Sequence, residues 1–186
     1  MRSSDRRHTV FPSACIHGRF QILHNDHFRY YQCAAAKYGR LYIGLTGQHA
    51  HLEGPAKRSE PAENPLAYWE RVEMWRVALA ASGDNRAHTI GPFPIEQPEA
   101  LCDFVPLSCV CATTVREPWN LDKAQVLRRQ GYEVDILLTE YDKALSGTDL
   151  RRLVAAGSPD WPELVPDGVA DFLRSVGIEE RLRGAP

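Results

Sequence analysis

Apolar and polar positions follow two rhythms along this chain. Short apolar runs at 10–16, 40–45, 88–93, 104–112 and 132–138 predict strands. Between them apolar residues recur at helical spacing. Phe28, Tyr31, Ala35 and Tyr38 predict a helix over 27–38. Trp69, Val72, Trp75 and Leu79 predict the buried stripe of a second helix. It would start at Pro65, whose fixed φ and missing N–H suit a first turn, and end at Gly83. Further helices are expected over 121–129, with Gly131 as terminator, and over 148–156. Val165, Val169, Phe172 and Val176 mark a last one. Residues 46–64 are polar, contain Gly and Pro, and show no period, and a loop this long in a small domain is usually functional or disordered.

Alternation of strand and helix implies an α/β fold. About five parallel strands would be joined by right-handed crossovers and flanked by helices. Such a sheet binds ligand at the carboxyl ends of its strands, at the switch point of the topology. There is no internal repeat, so one domain is expected over 11–180, behind a flexible tail at 1–10.

Composition narrows the function. The 186 residues carry a net charge of -2 and 25% charged residues, which excludes nucleic-acid or membrane binding by bulk charge. No apolar run approaches the roughly 20 residues of a membrane span. The basic N-terminus lacks the apolar segment of a secretory signal. Five cysteines form no paired framework. Cys109 and Cys111 would share one strand face as buried thiols, and Cys15, Cys33 and Cys102 are scattered. Free thiols in a reducing cytoplasm are expected. A homo-oligomer is compatible with this composition.

Phosphate binding therefore needs a local cluster, and two stand out. Residues 16–27, Ile-His-Gly-Arg-Phe-Gln-Ile-Leu-His-Asn-Asp-His, leave the first strand and open the first helix. Gly18 permits close backbone approach. A helix start offers unpaired N–H groups and partial positive charge. His24 and His27, three apart, project from one turn and can donate to phosphate oxygens, stabilising charge on a pyrophosphate leaving group. The same pair would suit a helix cap or half a metal site, although no zincin glutamate follows. The second cluster is residues 146–152, Ser-Gly-Thr-Asp-Leu-Arg-Arg. Ser146 or Thr148 can cap a helix there, their hydroxyls and the exposed N–H groups make a nucleotide-phosphate site, and Arg151 can clamp two oxygens of one phosphate. By itself this stretch equally suits a capped surface helix. Both starts at the carboxyl ends of parallel strands would together satisfy one triphosphate.

These motifs carry a family resemblance. Gly-Arg-Phe-Gln with His-x-x-His at 18–27 is similar to the first motif of the nicotinamide mononucleotide (NMN) adenylyltransferases, archaeal type, within the HIGH-motif nucleotidyltransferases. Residues 64–71, Asn-Pro-Leu-Ala-Tyr-Trp-Glu-Arg, resemble their Asn-Pro-Phe-x-x-x-Glu-Arg helix start. Residues 146–152 resemble their Ser-Gly-Thr-x-x-Arg motif, and 160–166 their tail. The resemblance implies a Rossmann-like fold and Mg²⁺ held mainly by the nucleoside triphosphate, with no dedicated protein metal site. His24, His27, Arg19 and Arg151 would hold the triphosphate, with Gly18, Phe20 and Gln21 lining it. The phosphate of a small anionic acceptor would attack the α-phosphorus directly, so catalysis is positioning and charge neutralisation.

Two departures matter. Asp26 stands where the family has Gly, and stabilisation of the helix N-terminus is its expected role. After the fourth strand, residues 113–120 replace the family's Gly-Asn element, which turns expectation from NMN towards a small phosphonate or phosphate receiving CMP from CTP. Arg116 and Lys123 would grip that acceptor, with Trp119 as a wall, and Arg71 is directed towards it by the family's use of this helix start. A plain surface loop is the alternative for that stretch. Lys57 and Arg58 could close as a lid, or stand as solvated charges. The rival functions are an ATP-dependent NMN adenylyltransferase making NAD, and a non-catalytic nucleotide sensor.

Overall fold

β1 (Ala14–Gly18) and β2 (Leu41–Leu45) are buried almost throughout, as strands covered on both faces must be. The computed structural model describes residues 12–47, 60–114, 118–138 and 145–184. β3 (Thr89–Pro92), β4 (Val110–Thr114) and β5 (Val134–Leu138) complete one sheet in the order β3-β2-β1-β4-β5, with every pair parallel. This is the expected α/β architecture, Rossmann-like, with its switch point between β1 and β4.

The helices are α1 (Asn25–Lys37), α2 (Tyr68–Ala81), α3 (Pro118–Arg129), α4 (Gly147–Ala155), α5 (Val169–Ser175) and α6 (Ile178–Gly184). Ala14, Ile16, Leu41 and Ile43 point into a core shared with α1, α2, α4, α5 and α6. Cys15, Tyr42 and Cys111 point into the opposite core, with Phe93, Leu101, Val105 and Leu127 of α3. Cys109 and Cys111 are buried free thiols, as expected, and the Cys15 thiol lies 3.3 Å from that of Cys111.

Four expectations shift. Trp69 is 60% exposed, because α2 turns Glu70, Arg71, Met74, Trp75, Ala78 and Leu79 inward instead. Buried Glu70 accepts the Ala67 N–H and holds Arg181 of α6 through two hydrogen bonds of 2.8 and 2.9 Å. Pro65 precedes α2, which starts at Tyr68. The fourth strand begins only at Val110, since Pro106, which has no N–H to donate, lies in the turn before it. The last helix is two helices, divided at Gly177, whose φ of +68° favours glycine.

β1 and β4 pair only at Ala14↔Val110 and Cys15↔Cys111, whereas β1 and β2 pair over five residues. Beyond Cys15 the Tyr30 hydroxyl stands between the strands. It accepts the His17 N–H at 3.4 Å and donates to the Ala112 carbonyl. Burial pushes the Tyr30 hydroxyl well above the usual tyrosine range, so it stays a donor. The crevice of the switch point opens at this parting of strands.

Candidate active site

The turn after β1 has little freedom. A Cβ at Gly18 would meet the Phe20 ring at 2.9 Å, so a side chain there would have to displace the ring. Phe20 itself takes φ +48°, a conformation costly for any residue but glycine. Its buried ring offsets that cost by packing edge-on against Trp75 and His27, both at 5.0 Å between centroids. This wedge sets where Arg19 and Gln21 point.

Gln21 is buried and its amide is fully used. It donates to the Leu66 carbonyl and accepts the Leu66 N–H, each at 3.0 Å. The segment before α2 is thereby pinned beside the turn. Arg71 braces the other side. Nη1 donates to the carbonyls of Arg19 and Thr46 at 2.8 Å, and Nη2 to that of Gly47 at 3.3 Å. Burial pushes the Arg71 guanidinium down to about 10, which leaves it charged at neutral pH. Expected towards the acceptor, Arg71 is 1% exposed and ties the loops that follow β1 and β2.

His24 is the N-cap residue of α1 and His27 lies in its first turn. Their rings stack, 3.7 Å between centroids and 23° between planes, so the two imidazoles form one unit. The start of α4 docks directly on this segment. Arg151 Nη1 donates to the Gln21 carbonyl at 2.7 Å, and Asp26 accepts the Leu145 N–H at 3.3 Å. Asp26 therefore links the two helix starts, a role beyond its expected one at the N-terminus of α1. Ser146 caps α4 by accepting the Asp149 N–H at 3.1 Å, and Thr148 accepts Arg151 Nη2, also at 3.1 Å. The two clusters predicted to share one anion are thus adjacent at the carboxyl edge of the sheet.

One residue there was not foreseen. Glu63, at the end of a 3₁₀ turn (Pro61–Glu63), ion-pairs with Arg151 and lies 3.5 Å from Arg19. A single carboxylate thus bridges two arginines assigned to the triphosphate. Burial opposes its ionisation, but the Arg151 hydrogen bond and both positive charges outweigh burial and hold Glu63 below the ordinary carboxylate range. Its sole signal in the sequence is its place just before Asn64-Pro65.

Lys123 lies on α3, and its charge reaches His17 of β1. Arg116, Lys57 and Arg58 and the side chain of Trp119 lie outside the described residues. Among the described residues no group of three or more His, Cys, Asp or Glu is arranged to hold a metal ion, and no helix is long and apolar enough to cross a membrane.

Three known proteins frame this geometry. A phosphonoformate cytidylyltransferase of Streptomyces viridochromogenes is 33% identical over 173 residues, covering 90% of this chain and 94% of that protein. A nicotinamide-nucleotide adenylyltransferase of Thermococcus onnurineus is 31% identical over 166 residues, covering 89% of this chain and 84% of that protein. A solved bifunctional NMN adenylyltransferase/ADP ribose pyrophosphatase of Francisella tularensis superposes with a TM-score of 0.64 at 15% identity, over 93% of this chain and 53% of that one. That likeness concerns the fold. No family model matches the chain.

Proposed function

The chain belongs to the nucleotidyltransferase family that includes the archaeal nicotinamide-nucleotide adenylyltransferases, and from that premise we propose that it transfers CMP from CTP to a small phosphonate or phosphate. It is an enzyme that moves a nucleoside monophosphate. The finer reading is carried by its likeness, over 94% of the relative's length, to a protein named for phosphonoformate.

His24, His27, Arg19 and Arg151 would bind the triphosphate, and Ser146 and Thr148 would hold the start of α4 against it. An acceptor oxygen attacks the α-phosphorus, a P–O bond forms, and the bond to pyrophosphate breaks. Charge grows on the leaving pyrophosphate. Donors fixed before the reaction stabilise it without reorganising. The donor set is imidazoles, guanidiniums and backbone N–H groups, which suits phosphate oxygens rather than a metal. Mg²⁺ would then arrive on the triphosphate, where it neutralises charge between phosphates.

The NMN reading keeps support from the Thermococcus relative. Purified protein given CTP or ATP, each with phosphonoformate or NMN, separates the readings by pyrophosphate release. CTP with phosphonoformate is the expected productive pair. NAD formation from ATP and NMN, with no reaction of CTP, would overturn the proposal. Triphosphate binding without pyrophosphate from any pair would favour a sensor.

A further inference from the structure

Among the described residues, His17 is the histidine at the switch point that the proposed phosphate site does not use. It is the penultimate residue of β1, is 5% exposed, and stacks face to face on Phe93 at 4.4 Å and 4°. Neither of its ring nitrogens has a hydrogen-bond partner, and both are buried. A buried polar atom without a partner is uncommon, and each one in a native protein calls for a cause. Phenylalanine would stack on Phe93 equally well without leaving a donor and an acceptor unsatisfied. Packing alone therefore does not account for an imidazole here.

Its place in the sheet suggests what does. Side chains alternate along a strand, so His17 shares the face of Cys15, and Thr113 shares that of Cys111. The contact between the Cys15 and Cys111 thiols shows that these are one face. His17 and Thr113 thus flank the parting of β1 and β4, on the α3 side. Burial and the charge of Lys123 hold the His17 imidazole well below the usual histidine range. At neutral pH it is an uncharged ring with one donor and one acceptor, within electrostatic reach of the Lys123 ammonium. The phosphate cluster lies one turn further along, at Gly18–Gln21 and His24. An acceptor whose phosphonate faces that cluster would reach His17 with its other end.

We propose that His17, together with Lys123, forms a subsite at the β1–β4 switch point for a carboxylate at the non-reacting end of the phosphonate acceptor. This rests on the reading of the chain as a phosphonate-using nucleotidyltransferase. The ammonium supplies the countercharge. The imidazole N–H donates a hydrogen bond in a place where water competes little. An acceptor without the carboxylate leaves the His17 imidazole unsatisfied, so the subsite selects as well as binds.

The test uses phosphonoformate, which has the carboxylate, and methylphosphonate, which lacks it. In long-range ¹H–¹⁵N spectra of the whole protein, phosphonoformate should shift the His17 side-chain nitrogens and methylphosphonate should not. In turnover with CTP, His17→Val should raise the KM for phosphonoformate about tenfold or more, the usual loss for a hydrogen bond to a charged group. The preference for phosphonoformate over methylphosphonate should fall by the same factor, with a much smaller change in kcat. His17→Asn, which keeps a donor, should recover part of the loss. His17 signals unmoved by saturating phosphonoformate, while CTP and phosphonoformate still release pyrophosphate, would overturn the subsite and leave the reaction standing. A shift without pyrophosphate release would do the reverse. If neither occurs, both fall. A merely packed His17 would lower thermal stability in both variants without changing the acceptor preference.

Discussion

Glu63 bridges Arg19 and Arg151, the two arginines proposed to hold the triphosphate, and replacing it with glutamine is the most direct probe of that proposal. The variant keeps the shape and removes the charge. Arg151 is only 7% exposed at its side chain and Glu63 20%, so this pair is neither a solvated surface contact nor a fully dry one. Exposed pairs contribute about 0.2–1 kcal/mol, and hydrogen bonds to charged groups in drier places about 1.5–3. An intermediate cost of about 1–2 kcal/mol for parting Glu63 from Arg151 is reasonable, with a smaller share from Arg19. If the triphosphate displaces Glu63, that cost is included in its binding. Glu63→Gln should then lower the KM for the triphosphate roughly five- to thirtyfold, since about 1.4 kcal/mol is tenfold. Pyrophosphate should become a correspondingly stronger inhibitor. Without ligand the variant should melt lower, because the Arg151 charge has lost its partner, and pyrophosphate should restore the melting temperature. The folded Glu63 carboxyl is held below its ordinary value of 4.5, so its contribution is present above that value and is lost as pH falls through the folded one. Assays between pH 6 and 8 therefore compare a charged with an uncharged side chain. An unchanged or raised KM for the triphosphate would refute displacement, and would mean that Glu63 stays with the arginines while they bind phosphate.

Three further outcomes are expected. His27→Ala should slow turnover by on the order of 10²-fold with little change in acceptor KM, and unchanged turnover would remove His27 from the phosphate site. Arg71→Met leaves the carbonyls of Arg19, Thr46 and Gly47 without their donor, so it should destabilise by about 2–4 kcal/mol in denaturant unfolding. A variant as stable as the parent, with only acceptor binding lost, would make Arg71 a binding group instead. Because the folded His17 value lies well below its ordinary 6.5, the unfolded chain takes up the proton first. Stability should therefore fall as pH drops below about 6.5, and His17→Phe should flatten that slope in calorimetry.

The strands were legible because each is a short apolar run, and in a sheet covered on both faces that is the signal that survives. β1 and β4 end later than their apolar runs because His17, Thr113 and Thr114 are polar and interrupt the apolar pattern while the strands continue. They are polar at the carboxyl edge, where the crevice lies. The two motifs proposed to bind phosphate were legible because each is local in sequence. His24 and His27 are one turn apart, and Ser146 to Arg151 opens one helix. The stripe of α2 was misjudged because a buried ion pair, Glu70 with Arg181, brings together residues 111 positions apart. No window along the chain contains both.

Glu63, Asp26 and His17 share that origin. Each is a polar residue set against another element: Glu63 against Arg151, Asp26 against the Leu145 N–H, and His17 against the Phe93 ring. Sequence pattern identifies apolar residues that face a core, because burial of apolar surface is non-directional and needs only the right face. It does not identify a polar residue that faces inward, because that arrangement is tolerable only once specific partners arrive. The fold was therefore readable from periodicity, and the proposed phosphate site from two local motifs. The proposed acceptor site depends on polar side chains collected at one edge from β1, β4 and α3, and its residues come together only when the strands are set side by side.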